Sequence, residues 1–244
     1  MAGDVIAPPP RPYLPMADGS GSFPVRRIHC VGRNFADHAR EMGAEVPAAA
    51  DRGRPVFFSK PADAIWLEPS VSYPRGTDDL HHEVELVVAL GKDAPPRPID
   101  REQATALVFG YGLGLDLTRR DLQAAAKAKG LPWDTAKGFD ASAPMTPLLR
   151  AHAVPPLQTL ELSLKVNGSQ RQHGRLQDMV WDVADILVEL SRLYALRAGD
   201  VVMMGTPAGV GALQPGDNLH ARLGVPGHAP LLQWTGVVSP PDSR

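Results

Sequence analysis

Short apolar runs, separated by glycine and proline, dominate the chain from residue 23 onward. Runs of this kind between turn-forming residues are typical of β-strands, and they predict strands over 27–31, 56–59, 84–90, 111–117, 162–167 and 201–204. Helical spacing of apolar residues is rarer and predicts helices over 178–196 and 118–129. Because strands outnumber helices without regular alternation, the pattern favours an α+β fold that is β-rich, with a mixed sheet and few helices.

The first 22 residues differ in composition from the rest of the chain. They are rich in proline, glycine and small polar residues, which predicts an extended or disordered N-terminal arm over 1–22. No linker-like segment follows, so residues 23–244 are predicted to form a single domain. At 244 residues the chain is long enough to bury a sizeable core.

Charge and cysteine content narrow the function classes. A net charge of -2 and a pI near 6.4 leave no excess of positive charge for nucleic acid or an anionic membrane, so neither is expected as a partner. Cys30 is the only cysteine, which excludes an internal disulfide and a cysteine-based zinc site. Without a long apolar segment or a signal-like N-terminus, the sequence predicts a soluble cytoplasmic protein.

Two glutamates share one face of a predicted strand in LHHEVELVVAL, residues 80–90. Side chains alternate along a strand, so Glu83 and Glu85 point one way and Val84 points the other. Asp116 ends another apolar strand. Three such carboxylates suit a hard divalent cation, because Mg²⁺, Mn²⁺ and Ca²⁺ prefer oxygen ligands. The alternative is that the glutamates lie on a solvated strand face and Asp116 caps the helix that begins at Thr118.

A histidine and a glutamate are three residues apart in GRNFADHAREMG, residues 32–43. On a helix this spacing places His38 and Glu41 on one face, where the carboxylate can orient the imidazole. Such a pair can remove a proton from water as a general base. The alternative is an ordinary surface pair on a polar helix.

Two cations and one glycine-rich turn complete the candidate chemistry. Lys137 and Arg120 can face a metal and bind the oxygens of an anionic substrate, although most such residues are simply surface charges. The turn MGTPAGVG, residues 204–211, can present backbone N–H groups and the Thr206 hydroxyl to a developing oxyanion. Tight turns use the same residues, and the turn lacks the lysine of a phosphate-binding loop.

Taken together, the segments resemble the fumarylacetoacetate hydrolase family, because they recur in that family's order between about residues 23 and 227. They are GRNFADHAREMG, FFSKPADA, LHHEVELVVALGK, LDLTRRDLQ, LPWDTAKGFD, LKVNG and GDVVMMGTPAGVG. The resemblance implies that Glu83, Glu85 and Asp116 hold Mg²⁺ or Mn²⁺. It also implies that His38 and Glu41 form the dyad that activates water.

The resemblance assigns further contacts and an activity. The residues implied to contact the substrate or its oxyanion are Arg120, Gln123, Lys137 and Thr206, with Lys137 counted among the catalytic residues. Within the family the segments are most similar to the hydrolases that cleave fumarylpyruvate to fumarate and pyruvate in gentisate catabolism. Arg33 and Arg119 are the candidates for binding the far carboxylate of that dioxo acid. A homodimer is expected, as in relatives.

Other activities remain open at this point. Acylpyruvate hydrolases and oxaloacetate decarboxylases share nearly all of these residues, and double-bond isomerases of related dioxo acids occur in the same superfamily. A non-catalytic binding module is the alternative from another class. Because every position expected to perform chemistry carries a competent side chain, the sequence favours an enzyme.

Overall fold

The computed structural model of the chain describes residues 5–41 and 53–241. The strands are β1 Tyr13–Pro15, β2 Ser22–Pro24, β3 Arg27–Gly32, β4 Val56–Lys60, β5 Ile65–Trp66, β6 Ser70–Ser72, β7 Leu80–His82, β8 Val84–Leu90, β9 Val108–Leu115, β10 Thr118–Arg119, β11 Ala143–Pro144, β12 Leu149–Arg150, β13 Glu161–Val166, β14 Ser169–Arg175, β15 Asp200–Met203, β16 Gly211–Leu213, β17 Asn218–Gly224 and β18 Leu232–Ser239. The helices are α1 Ala36–Glu41, α2 Arg101–Leu107, α3 Arg120–Ala128, α4 Asp134–Lys137 and α5 Val183–Ser191.

Two large mixed sheets organise the described residues. The first has six strands in the order β12-β9-β8-β15-β3-β4, and the second has five in the order β14-β13-β17-β18-β6. Most neighbours are antiparallel, but β15 runs parallel to β3 and β18 runs parallel to β6. Three smaller sheets, β10-β7-β16, β1-β2 and β11-β5, complete the set. The prediction of a β-rich α+β fold with mixed sheets and few helices is therefore confirmed.

Strand β8 is buried along its whole length because both faces of the six-stranded sheet are covered. Leu86 and Val88 belong to the larger apolar cluster, which also contains Leu164 of the five-stranded sheet. Val87 and Ala89, on the opposite face, belong to a second apolar cluster. Glu85 shares this second face by strand alternation. One end of the face is therefore acidic, and the rest is core.

The second half of the predicted N-terminal arm is part of the folded core. Strand β1 pairs with β2, so that Leu14 lies opposite Phe23 in the register. Leu14 is fully buried in the second apolar cluster, and Met16 is 7% exposed. The predicted boundary at residue 22 therefore falls inside a strand pair, whereas Val5 and Ile6 of the first half are exposed.

The two predicted helices are shorter than the apolar pattern indicates. The segment 178–196 forms α5 only over Val183–Ser191, because the Asp182 side chain accepts the N–H of Asp185 and caps the helix there. The segment 118–129 forms α3 only from Arg120, since Thr118 pairs with β7 as part of β10. No helix among the described residues is long and apolar enough to cross a membrane.

Candidate active site

Three buried carboxylates lie together at one end of strands β8 and β9. Glu83 occupies the break between β7 and β8, Glu85 lies in β8, and Asp116 directly follows β9. The Asp116 N–H donates to the carbonyl of Glu83 at 2.8 Å, which brings the two segments into register. Oxygens of the three side chains lie within 4.8 Å of one another. The predicted grouping of these carboxylates is what the structure contains.

Three cations face these carboxylates. Lys137 Nζ donates to Glu83 at 2.9 Å, to Asp116 at 2.6 Å and to the Thr118 hydroxyl at 2.7 Å. Lys60 Nζ lies 2.8 Å from Asp116 Oδ1, and Arg120 donates from Nη2 to Glu83. Since an ammonium has three protons, Lys137 uses all of them on protein acceptors in this arrangement.

Burial and charge shift the proton affinities of these groups. Burial alone would raise the pKa of Glu83, but the charges of Lys137 and Arg120 outweigh it and hold that pKa well below its usual range. Burial raises the pKa of Glu85, and the neighbouring charges of Asp116 and Glu83 raise it further. Without a bound metal ion, Glu83 is therefore the charged member of the two glutamates, whereas Glu85 favours its neutral form.

The donor set fits a divalent cation. Oδ1 of Asp116 is buried without an aligned hydrogen bond in the described part of the chain, although Lys60 lies close. Glu85 accepts the Gly205 N–H at 2.7 Å through Oε2, and no described donor bonds its Oε1. Carboxylate oxygens that lack donors are what a hard cation such as Mg²⁺ or Mn²⁺ binds. Glu83, Glu85 and Asp116 can thus hold such an ion.

His38 and Glu41 form a pair in α1, as the sequence predicts. Nδ1 of His38 lies 3.3 Å from Oε2 of Glu41, and the histidine is 6% exposed. The backbone N–H of Gly209 reaches both carboxylate oxygens of Glu41 at 3.1 Å. If Nδ1 carries the proton that Glu41 accepts, Nε2 is left as an acceptor.

The glycine-rich turn directs its donors at protein carboxylates and carbonyls. Gly205 donates its N–H to Glu85, as Gly209 does to Glu41. The Thr206 hydroxyl donates to the Val84 carbonyl at 2.9 Å. The prediction gave the turn amides and this hydroxyl to a substrate oxyanion, whereas here the two amides hold Glu85 and Glu41 and the hydroxyl holds a backbone carbonyl.

A side-chain amide supplies a donor that faces the pocket. Arg120 Nη1 donates to Gln123 Oε1 at 2.5 Å, which fixes the orientation of the Gln123 amide. Gln123 is 4% exposed and lines the pocket beside Glu83. No acceptor among the described residues bonds its Nε2, so this N–H₂ group is free to meet a ligand.

Most of the predicted site residues line one pocket of about 30 Å³. They are Arg33, His38, Glu83, Glu85, Arg120, Gln123, Lys137 and Thr206, and their partners Glu41 and Asp116 bond to members of this set. Arg119 lies elsewhere: it donates to the Thr135 carbonyl, stacks 4.5 Å over Phe139 and lines another cavity.

Sequence reasoning missed several residues of the pocket region. Phe58, Lys127 and Trp133 line the pocket, and Lys60 is buried against Asp116. Lys60 and Phe58 lie in FFSKPADA, one of the segments that carry the family resemblance. A lysine that directly follows an apolar strand is the signal that could have identified Lys60, because a buried lysine needs a partner.

The site combines three buried carboxylates with a histidine–glutamate pair at one pocket. This arrangement is typical of a metal-dependent enzyme. The chain belongs to the fumarylacetoacetate hydrolase family, because the family model "Fumarylacetoacetate (FAA) hydrolase C-terminal" matches residues 27–232.

The relatives and solved structures to which this chain is similar differ in the activity that their names give. An oxaloacetate tautomerase of Escherichia coli (strain K12) is 42% identical over 199 residues, which cover 81% of this chain and 88% of the relative. A fumarylpyruvate hydrolase from Pseudomonas aeruginosa, solved with Mn²⁺ and pyruvate, has a TM-score of 0.89 and 40% identity over 97% of this chain and 99% of that one. A structure from Burkholderia cenocepacia, provisionally assigned as a fumarylpyruvate hydrolase, has a TM-score of 0.87 and 49% identity over 99% and 97% of the two chains.

Proposed function

We propose that the protein hydrolyses the carbon–carbon bond of fumarylpyruvate, giving fumarate and pyruvate. One observation carries the proposal: His38, paired with Glu41, lines the same pocket as Glu83 and Glu85 of the acidic cluster. Hydrolysis of a dioxo acid needs a base for water next to a site that binds the oxygens of the pyruvoyl end. The solved fumarylpyruvate hydrolase with Mn²⁺ and pyruvate supports this choice of substrate.

The dyad of His38 and Glu41 activates the attacking water. Glu41 accepts the Nδ1 proton of His38 and is itself held by the Gly209 N–H, so the imidazole keeps Nε2 directed at the pocket. Nε2 removes a proton from water as the oxygen attacks the C4 carbonyl beside the fumaryl group. The bond between C3 and C4 then breaks, and the proton is delivered to C3 of the departing pyruvate.

The remaining residues bind the dioxo acid and its developing charge. A divalent cation on Glu83, Glu85 and Asp116 would act as a Lewis acid for the oxygens of the pyruvoyl end. The Gln123 amide, oriented by Arg120, donates to the oxyanion that forms at C4. The Lys137 ammonium pairs with both Glu83 and Asp116 and so lowers the net negative charge of the site.

A second candidate is the tautomerisation of oxaloacetate, which the E. coli relative favours, or its decarboxylation, which a relative from Dictyostelium discoideum favours. Oxaloacetate also presents a 2-oxo acid end, but its decarboxylation consumes no water. Hydrolysis and decarboxylation therefore differ in their need for the dyad base. They also differ in substrate length.

The test is a comparison of fumarylpyruvate, acetylpyruvate and oxaloacetate with the wild-type protein in Mn²⁺ or Mg²⁺, with and without chelator. Cleavage of fumarylpyruvate is monitored by the loss of its enol absorbance. We expect this cleavage to be restored by metal and to exceed the activity on the other two substrates. His38→Ala should lower that cleavage by about 10²–10⁴-fold, and His152→Ala, an exposed histidine, serves as the control. Preference for oxaloacetate, or cleavage near the wild-type rate in His38→Ala, would overturn the proposal.

A further inference from the structure

The pocket has an acidic buried end and a basic outer end. Glu83 and Glu85 are 5% and 2% exposed at the inner end. Lys127, in α3, is half-buried, and Arg33, just after β3, is exposed, and both line the same pocket. The inner end of a bound ligand therefore lies beside the buried carboxylates, and its outer end lies beside Arg33 and Lys127.

The outer cations lack a carboxylate of their own in the described part of the chain. Neither Arg33 nor Lys127 is within ion-pair distance of a described acidic group, in contrast to Arg120 and Lys137. Burial, together with repulsion from Arg120 and Arg33, lowers the pKa of Lys127. Uncompensated positive charge in a partly desolvated pocket is what an anionic ligand group would relieve.

The fold restricts the side chain of Lys127 and the backbone of Arg33. Lys127 Nζ lies 5.1 Å from the centre of the Trp133 ring, a cation–π contact that limits its freedom. Arg33 has a φ of 61°, in the left-handed region that is unfavourable for a residue with a side chain. The following Asn34 anchors this conformation, because its side-chain amide donates to the carbonyls of Met204 and Trp181. Conformations of this kind cluster at ligand sites.

We propose that Arg33 and Lys127 form an anion subsite that binds the second carboxylate of the substrate and selects dicarboxylic dioxo acids over those with a neutral far end. The inference rests on the proposed function, since it assumes that the pyruvoyl end lies at the inner carboxylates. It assigns Lys127 a role and excludes Arg119, which lines a different cavity.

The kinetic test compares fumarylpyruvate with acetylpyruvate, whose far end is a methyl group. Lys127→Met and Arg33→Asn remove the charges, and asparagine is chosen because it tolerates the left-handed backbone of Arg33. We expect each variant to lower kcat/KM for fumarylpyruvate by about 10–100-fold, mainly through KM, because a charge-assisted hydrogen bond is lost. Activity on acetylpyruvate should change by less than about threefold on the same reasoning, since its methyl end makes no such bond.

Lys129→Met is the matched control, because Lys129 lies two residues further along the chain and is exposed outside the pocket. It should retain wild-type kinetics on both substrates. An equal loss of kcat/KM on both substrates in the two test variants would overturn the subsite. Loss of a contact to the far carboxylate affects fumarylpyruvate alone, whereas a general loss of the fold or of the metal site affects both substrates.

A binding measurement separates this inference from the proposed function. Calorimetric titration of the Mn²⁺-loaded protein with 2-oxopimelate and 2-oxoheptanoate compares a far carboxylate with a methyl end at equal chain length. We expect wild-type protein to prefer 2-oxopimelate at least about tenfold, and the two variants to lose the preference. If fumarylpyruvate is not cleaved but this preference exists and is lost, the proposed function is wrong and the subsite stands. If fumarylpyruvate is cleaved and both variants keep the preference, the subsite is wrong.

Discussion

Acidification tests a buried histidine that lies away from the pocket. His29 is in β3, between β15 and β4 in the six-stranded sheet, and is 2% exposed. Its ring centre lies 4.8 Å from that of Tyr194, and its Nε2 has no hydrogen-bond partner in the described residues. Burial, reinforced by the charges of Arg27 and Arg26 and partly offset by Asp200, lowers the pKa of His29 from 6.5 to about 4.

The direction of the pH effect follows from proton binding. Below about pH 6.5 the unfolded chain protonates this histidine, whereas the folded protein keeps it neutral until about pH 4. The unfolded state therefore binds more protons in this window, and the free energy of unfolding falls as the pH falls. At about 1.36 kcal/mol per pKa unit, the full loss from this group is about 3 kcal/mol, with no further loss below about pH 4.

The assay is urea denaturation of the wild type and of His29→Phe at a series of pH values between 7 and 4. Phenylalanine keeps a ring against Tyr194 and removes the titrating group. We expect the wild type to lose about 3 kcal/mol more than the variant across this range. His152→Phe, which replaces an exposed histidine, should follow the wild-type curve. Parallel curves for wild type and His29→Phe would refute the reasoning.

Three further variants test the site and the fold. Gly209→Ala places a Cβ 1.9 Å from the Arg171 carbonyl at a φ of +94° and should lower turnover at least about tenfold by displacing the dyad carboxylate. Gly216→Ala, at a similar φ in open space, controls for backbone strain, and equal losses in both would contradict the explanation. Mn²⁺ at a hundredfold excess over Kd should stabilise the wild type by about 2.7 kcal/mol. Asp116→Asn should abolish this rise in thermal stability, and an undiminished rise would remove Asp116 from the set of metal ligands. Leu14→Ala should lower the free energy of unfolding by about 2–5 kcal/mol, and a loss below about 1 kcal/mol in urea denaturation would show that the arm does not stabilise the core.

The acidic cluster could be predicted because it depends on a local rule. Glu83 directly precedes β8 and Glu85 is its second residue, so the alternation of side chains in an extended segment places both on one side. The pairing of β9 with β8 then brings Asp116 to the same end. Lys60 could not be placed in the same way, because its partners Leu117 and Asp116 lie far along the chain and meet it only in the folded protein.

Other differences also come from long-range contacts. The proline-rich composition of residues 1–22 describes the segment as a whole, but the burial of Leu14 and Met16 depends on the sheet beneath them. Thr206 lines the pocket as expected, but its hydroxyl, which was expected to meet the substrate oxyanion, donates to the Val84 carbonyl and accepts a hydrogen bond from Gln172 of the five-stranded sheet. The expected homodimer and the cytoplasmic location stay predictions.

The three cations around the acidic cluster have a consequence for how the protein folds. Lys60, Lys137 and Arg120 offset the charges of Glu83 and Asp116, and Glu85 favours its neutral form, so little negative charge is uncompensated before any ion arrives. We therefore expect the newly synthesised chain to fold without metal, unlike small domains whose folding free energy comes from the ion. An incoming cation must compete with these built-in counter-charges, which keeps its binding exchangeable. Activity would then follow the supply of free divalent cation in the surroundings, while the amount of folded protein would not.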